Sequence, residues 1–155
     1  MESSTIEFSC DETGCWMMKL LVYSDGASRG NPGISALAFM ILSEEGERVK
    51  RYSKYVGIRT NNQVEYEAVI AALEYAIQLP CQDVICHLDS ELVVKQLTGE
   101  YTVRNSKLKI LWLKVQELTK EFRRITFIHV PRTNPHIREV DHLANQTLDR
   151  IKSRL

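Results

Sequence analysis

Apolar residues in this chain fall in short runs separated by turn residues. Residues 19–25 (KLLVYSD) are a compact apolar run, as a buried strand shows. Residues 26–33 (GASRGNPG) carry Gly26, Gly30, Asn31, Pro32 and Gly33, which is turn chemistry. Residues 34–43 (ISALAFMILS) are apolar at both parities, which predicts a strand covered on both faces. EEG makes a hairpin turn, and residues 47–56 (ERVKRYSKYV) form a third strand. Its Lys50 and Lys54 suit a sheet edge. Three strands on short turns predict an antiparallel meander.

The period then changes. Residues 62–79 predict a helix, capped by Asn61 or Asn62 and stopped by Pro80. Residues 83–89 (DVICHLD) read as a strand, and 90–98 (SELVVKQLT) as a short helix with Ser90 as its cap. Over 105–122, Leu108, Leu111, Trp112, Val115, Leu118 and Phe122 recur at helical spacing. A strand at 125–130 (ITFIHV), the loop PRTNPHI and a helix at 138–152 complete the order βββαβααβα. The first, fourth and fifth strands are joined through helices and are therefore parallel, with right-handed crossovers. The fold class is α/β: a five-stranded mixed sheet, three antiparallel strands then parallel ones, with helices on both faces.

Composition narrows the class without naming it. A chain of 155 residues suits one domain with a real core. Residues 18–155 are expected to be that domain, and residues 1–17, which show no period, a loosely attached or poorly ordered extension. Lys plus Arg and Asp plus Glu both number 20, so no global field attracts a polyanion. No apolar run approaches the roughly 20 residues of a membrane span, and the acidic, polar start argues against a signal peptide. A cytoplasmic monomer is the expectation. The cysteines are spaced Cys10/Cys15 and Cys81/Cys86, looser than usual zinc spacings, and read as ordinary thiols.

Four acids break the apolar patterning. Asp25 and Asp89 each end an apolar strand, so parallel pairing puts both at one sheet edge. Glu65 shares a helix face with Val69, Ala72 and Ala76, and Asp141 one with Ala144, Leu148 and Ile151. Both are thus expected to point inward. Burying a carboxylate is costly unless a cation compensates it. Carboxylates suit Mg²⁺ or Mn²⁺, and two such ions about 4 Å apart can hold a phosphodiester for in-line attack. GASRGNPG lacks the G-x-G-x-x-G spacing and leads into a strand, which argues against dinucleotide binding.

The segments YSDGASRGNPG, RTNNQVEYEAVIAAL, HLDSELVVKQLTGEY and HVPRTNPHIREVDHLAN resemble, in order, the signatures of type 1 ribonuclease H. The resemblance covers residues 19–152. It implies the RNase H-like fold and endonucleolytic cleavage of the RNA strand of an RNA/DNA hybrid. It also implies two Mg²⁺ ions, with Mn²⁺ as a substitute, and 3′-hydroxyl and 5′-phosphate ends. By motif, Asp25 would bridge both metals, Glu65 and Asp89 would complete the leaving-group metal, and Asp141 would help hold the other. Gly26, Asn31, Thr60, Asn61, Asn62, Gln63, Ser90 and Glu91 match substrate-contacting positions, Glu91 near the 2′-hydroxyl that distinguishes RNA from DNA.

The chain departs from the family in three places, one of them the leader, residues 1–17, which is expected to be too short for the separate hybrid-binding domain of some members. The usual loop histidine falls near Pro131 and Arg132, so Arg132 is the expected substitute and His136 the alternative. Only QLTGEYTVRNS joins the two middle helices, too short for the basic protrusion of some members. Arg104, Lys107, Lys109 and Tyr101 offer a partial replacement or a plain solvated face. Double-stranded RNA as a further substrate, a catalytically silent nucleic-acid-binding module and a purely structural metal remain as alternatives.

Overall fold

The computed structural model describes residues 9–10 and 16–154. Its elements in chain order are β1 (Ser9–Cys10), β2 (Trp16–Gly30), β3 (Gly33–Ser43), β4 (Arg48–Arg59), α1 (Asn61–Ile77), β5 (Cys81–Leu88), α2 (Glu91–Leu97), α3 (Ser106–Thr119), β6 (Arg124–His129) and α4 (Pro135–Lys152). The main sheet runs β4-β3-β2-β5-β6, and the two-residue β1 pairs with the start of β2. β2, β3 and β4 pair antiparallel, whereas β2–β5 and β5–β6 are parallel. This is the mixed five-stranded sheet expected from the patterning. The expectations for residues 1–8 and 11–15, and for the side chains of Cys10, Cys15 and Cys81, lie outside the described residues.

β3 shows why its sequence is apolar at both parities. Phe39 and Ile41 pack with Leu20, Val22, Tyr66, Val69 and Leu73 beneath α1. Ala38, Met40 and Leu42 pack with Ile137, Val140, Ala144 and Leu148 of α4 on the other face. Cys86 lies in the first of these cores, 1% exposed. Among the described residues, no helix is long and apolar enough to cross a membrane.

Three local expectations are corrected. GASRGNPG is mostly strand: β2 continues to Gly30, paired from Gly26↔Leu37 to Gly30↔Gly33, and only Asn31 and Pro32 turn the chain. Gly30 carries the positive φ (114°) that the hairpin requires. Second, α1 is capped by Thr60, not by Asn61 or Asn62. Thr60 Oγ1 accepts from the Gln63 amide at 3.2 Å, and Gln63 Oε1 accepts from the Thr60 amide at 2.8 Å. That reciprocal pair satisfies two otherwise orphaned donors. Third, α4 starts at Pro135, earlier than the apolar stripe suggested, because Asn134 caps it and proline suits the first helical position.

Candidate active site

Sheet register places the first two acids. Parallel pairing of β2 and β5 runs up to Tyr23↔His87, and Asp25 and Asp89 each follow two residues later. Asp25, still within β2 and paired with Ala38 of β3, therefore lies level with Asp89, just past the end of β5. α1 brings in the third acid by crossing β2 at Gly26. A Cβ at Gly26 would lie 2.6 Å from Val64 Cγ1, 2.7 Å from the Val64 carbonyl carbon and 2.9 Å from the Glu65 amide nitrogen. Only glycine allows so close an approach. The Gly26 amide then donates to Asp25 Oδ1 at 3.0 Å and faces Glu65 Oε1 at 3.3 Å.

Asp25, Glu65 and Asp89 each offer a carboxylate oxygen, all within 4.8 Å of one another. Asp25 is 4% and Glu65 8% exposed. Glu65 Oε2 is buried without a hydrogen-bond partner. Burial raises the Asp25 carboxyl far above the carboxylate range, and the charge and hydrogen bond of Glu65, then Asp89 and Asp141, raise it further. Burial also raises Glu65, against the lowering effect of its bonds to Asp25 and the Gly26 amide. Without a cation, this pair retains a proton at neutral pH. An all-oxygen donor set with an orphaned buried oxygen fits a hard divalent cation.

Asp141 differs from its expected inward orientation. It is exposed, beside the buried stripe of Ile137, Val140, Ala144 and Leu148 rather than on it. One residue past Val140 is about 100° around the helix, which turns the side chain to the rim. Asp141 lines a groove with Arg132, Thr133, Arg138, His142 and Asn145. Its charge is nevertheless felt at Asp25. Three acids converge and the fourth flanks them.

The loop candidates separate. Arg132 Nε lies 3.5 Å from Asp89 Oδ2, on a side chain that is 90% exposed. His136 is in the first turn of α4, its ring tilted against Tyr23 at 4.7 Å, while His87 stacks on Tyr23 at 4.2 Å. His136 is thus a packing residue in this arrangement.

Of the substrate candidates, Asn31, Thr60, Asn62 and Gln63 line one groove, together with Lys107. Asn31 Oδ1 accepts from the Asn61 amide at 3.0 Å, tying the hairpin to the start of α1. Ser90 caps α2 through the Val93 amide, and the exposed Glu91 meets Lys95 at 3.4 Å. Arg59, which also lines the Asn31–Thr60 groove, and Arg138 and Asn145, which line the one beside Asp141, were missed by sequence reasoning. Spacing would have found two of them, since Arg138 and Asn145 stand three before and four after Asp141 on one helix.

A family model described as "Reverse transcriptase-like" matches residues 23–147. Ribonuclease HI of Halobacterium salinarum is 41% identical over 127 residues, 82% of this chain and 63% of that relative. The chain belongs to the type 1 ribonuclease H family. It spans less than two thirds of that relative's length. A crystal structure of RNase H1 from the same halophilic archaeon superposes with TM-score 0.81 at 40% identity, covering 84% of this chain and 98% of that one. LC11-RNase H1, solved in complex with an RNA/DNA hybrid, superposes with TM-score 0.78 at 35% identity, covering 85% and 98%.

Proposed function

We propose that this ribonuclease H hydrolyses the RNA strand of RNA/DNA hybrids, with two Mg²⁺ ions and 3′-hydroxyl and 5′-phosphate products. Residues 18–155 would act as one catalytic domain in a cytoplasmic monomer. The observation that carries the reading is the buried, unpartnered Glu65 Oε2 among three converging carboxylates. The hybrid bound to LC11-RNase H1 supports the substrate class. Asp25, Glu65 and Asp89 would hold the metal, with Asp141 from the flank. Bound divalent metal supplies Lewis-acid stabilisation and an activated water.

The protein's own groups do the rest. The Gly26 amide fixes the orientation of two carboxylates by donating to both. Arg132, whose exposed side chain lies beside Asp89, would meet the charge of the scissile phosphate. The Asn31, Thr60 and Lys107 groove receives backbone phosphate away from the cleavage point. The α2–α3 connection, residues 98–105, carries no helix, and a broader preference that includes double-stranded RNA is the alternative reading. A silent binding module would have lost an acid, and Asp25, Glu65, Asp89 and Asp141 are all present.

Labelled RNA/DNA hybrid, double-stranded RNA and double-stranded DNA, each incubated with Mg²⁺ or Mn²⁺, test this. Metal-dependent cleavage of the hybrid is expected, abolished in Asp25→Asn. Hybrid left intact, or cut equally by the variant, rejects the proposal.

A further inference from the structure

Asp141 presents a problem that the other acids do not. It is exposed, on a helix that packs on the opposite sheet face from α1, and Gly26 makes no bond to it. Something else must hold its carboxylate toward Asp25. A chain of polar contacts does so from β2 itself. Arg29 Nη2 donates to Asp149 Oδ1 at 2.6 Å, and to Asn145 Oδ1 and the Asn145 carbonyl at 3.3 Å each. Asn145 Nδ2 in turn donates to the Asp141 carbonyl at 3.0 Å and to Asp141 Oδ1 at 3.3 Å.

The spacing gives this chain its meaning. Asp25 and Arg29 are four residues apart on β2, about 13 Å along a strand, and share a face by parity. Asp141, Asn145 and Asp149 stand at successive four-residue steps on α4. Asp141 and Asp149 are therefore about 12 Å apart along the axis. The two intervals match. With Arg29 fastened to Asp149 and Asn145, α4 is held in the register that sets Asp141 opposite Asp25. Asn145 then occupies one Asp141 oxygen and leaves the other available.

A plain helix-surface contact would explain the Asn145–Asp141 pair alone, since it is an i, i+4 neighbour. It does not explain why an arginine from the strand carrying Asp25 forks onto the same asparagine. We infer that Arg29 and Asn145 are positioning residues, which aim Asp141 at its metal and fix the slide of α4 along β2. The inference rests on the metal-site reading above. Neither residue touches substrate or metal itself. Loss of partners that orient a ligand typically weakens metal binding about 10–100-fold.

The test reads metal occupancy rather than turnover. The whole protein is complexed with an RNA/DNA hybrid carrying a non-cleavable linkage in its RNA strand and titrated with Mn²⁺, with bound ion followed by electron paramagnetic resonance. Wild type is expected to hold two ions. Arg29→Ala and Asn145→Ala are each expected to weaken one ion about tenfold or more while leaving the other. The double variant should be no worse than the weaker single one, as for residues in one chain of contacts. Melting temperatures recorded alongside separate this from general loosening. Unchanged affinity, additive losses, or equal weakening of both ions with a lowered melting temperature would overturn the inference. A wild-type complex holding fewer than two ions, or an Asp25→Asn complex holding as many as wild type, overturns the metal-site reading instead and takes the inference with it.

Discussion

Gly26 does three things with one backbone unit: it lets α1 cross β2, it donates to Asp25, and it faces Glu65. Its replacement by alanine must push α1 outward, because the clashing atoms are mainly helix backbone. Gly26→Ala is expected to lose on the order of 1–3 kcal/mol of stability by overpacking. It should also lose most hydrolytic activity, as Glu65 moves with the helix; urea denaturation and a hybrid-cleavage assay read the two effects. The raised carboxyls of Asp25 and Glu65 give a second prediction. In EDTA the folded protein holds protons that the unfolded chain has already released. This stability is fully present below about pH 4, the ordinary carboxylate range, and is lost as pH rises, up to about 7 for Glu65 and on to about 12 for Asp25. Each retained proton contributes a slope of up to about 1.4 kcal/mol per pH unit. Denaturation between pH 5 and 8 should show stability falling with pH, with a flatter profile for Asp25→Asn or with Mg²⁺ present. A profile that rises with pH in EDTA would contradict the burial of this pair.

α1 shows how a single element serves the core and the site together. Its buried residues Val69, Leu73 and Ala76 anchor it on the sheet, while Glu65 and the Thr60 cap face the open edge. Thr60→Ala removes one half of the capping box and is expected to cost about 0.5–2 kcal/mol. It should also weaken hybrid binding, since Thr60 lines the groove with Asn31 and Lys107; chemical denaturation and fluorescence anisotropy separate the two. The elements themselves were legible in the sequence, because periods of two and of 3.6 leave clear apolar patterns. Glu65 was legible too, as an acid on an apolar helix face. The strand through GASRGNPG was not, because glycine there answers to a crossing helix that only the folded chain reveals. Asp141 was misjudged for a related reason. A residue bordering a buried stripe can share i+3 and i+7 neighbours with it and still point to the rim.

At the scale of the whole molecule, zero formal net charge means that the proposed hybrid binding would depend on a few local cations. Lys107 lines the groove beside Asn31 and Thr60, and Arg132 and Arg138 line the one beside Asp141. The logarithm of the binding constant should fall with the logarithm of salt concentration at a slope near −0.9 per phosphate neutralised. Lys107→Ala should reduce that slope by about one without altering the base composition preferred. An unchanged slope would remove Lys107 from the binding surface. The Tyr23 ring has a different consequence. It stacks on His87 and meets His136, so one aromatic ring joins β2, which carries Asp25, β5, which runs into Asp89, and α4, which carries Asp141. A change of ring size at any of these three positions would be passed on to the other two. Over evolutionary time, positions 23, 87 and 136 should therefore change as a set: a relative with a smaller residue in place of Tyr23 should show compensating residues at the other two.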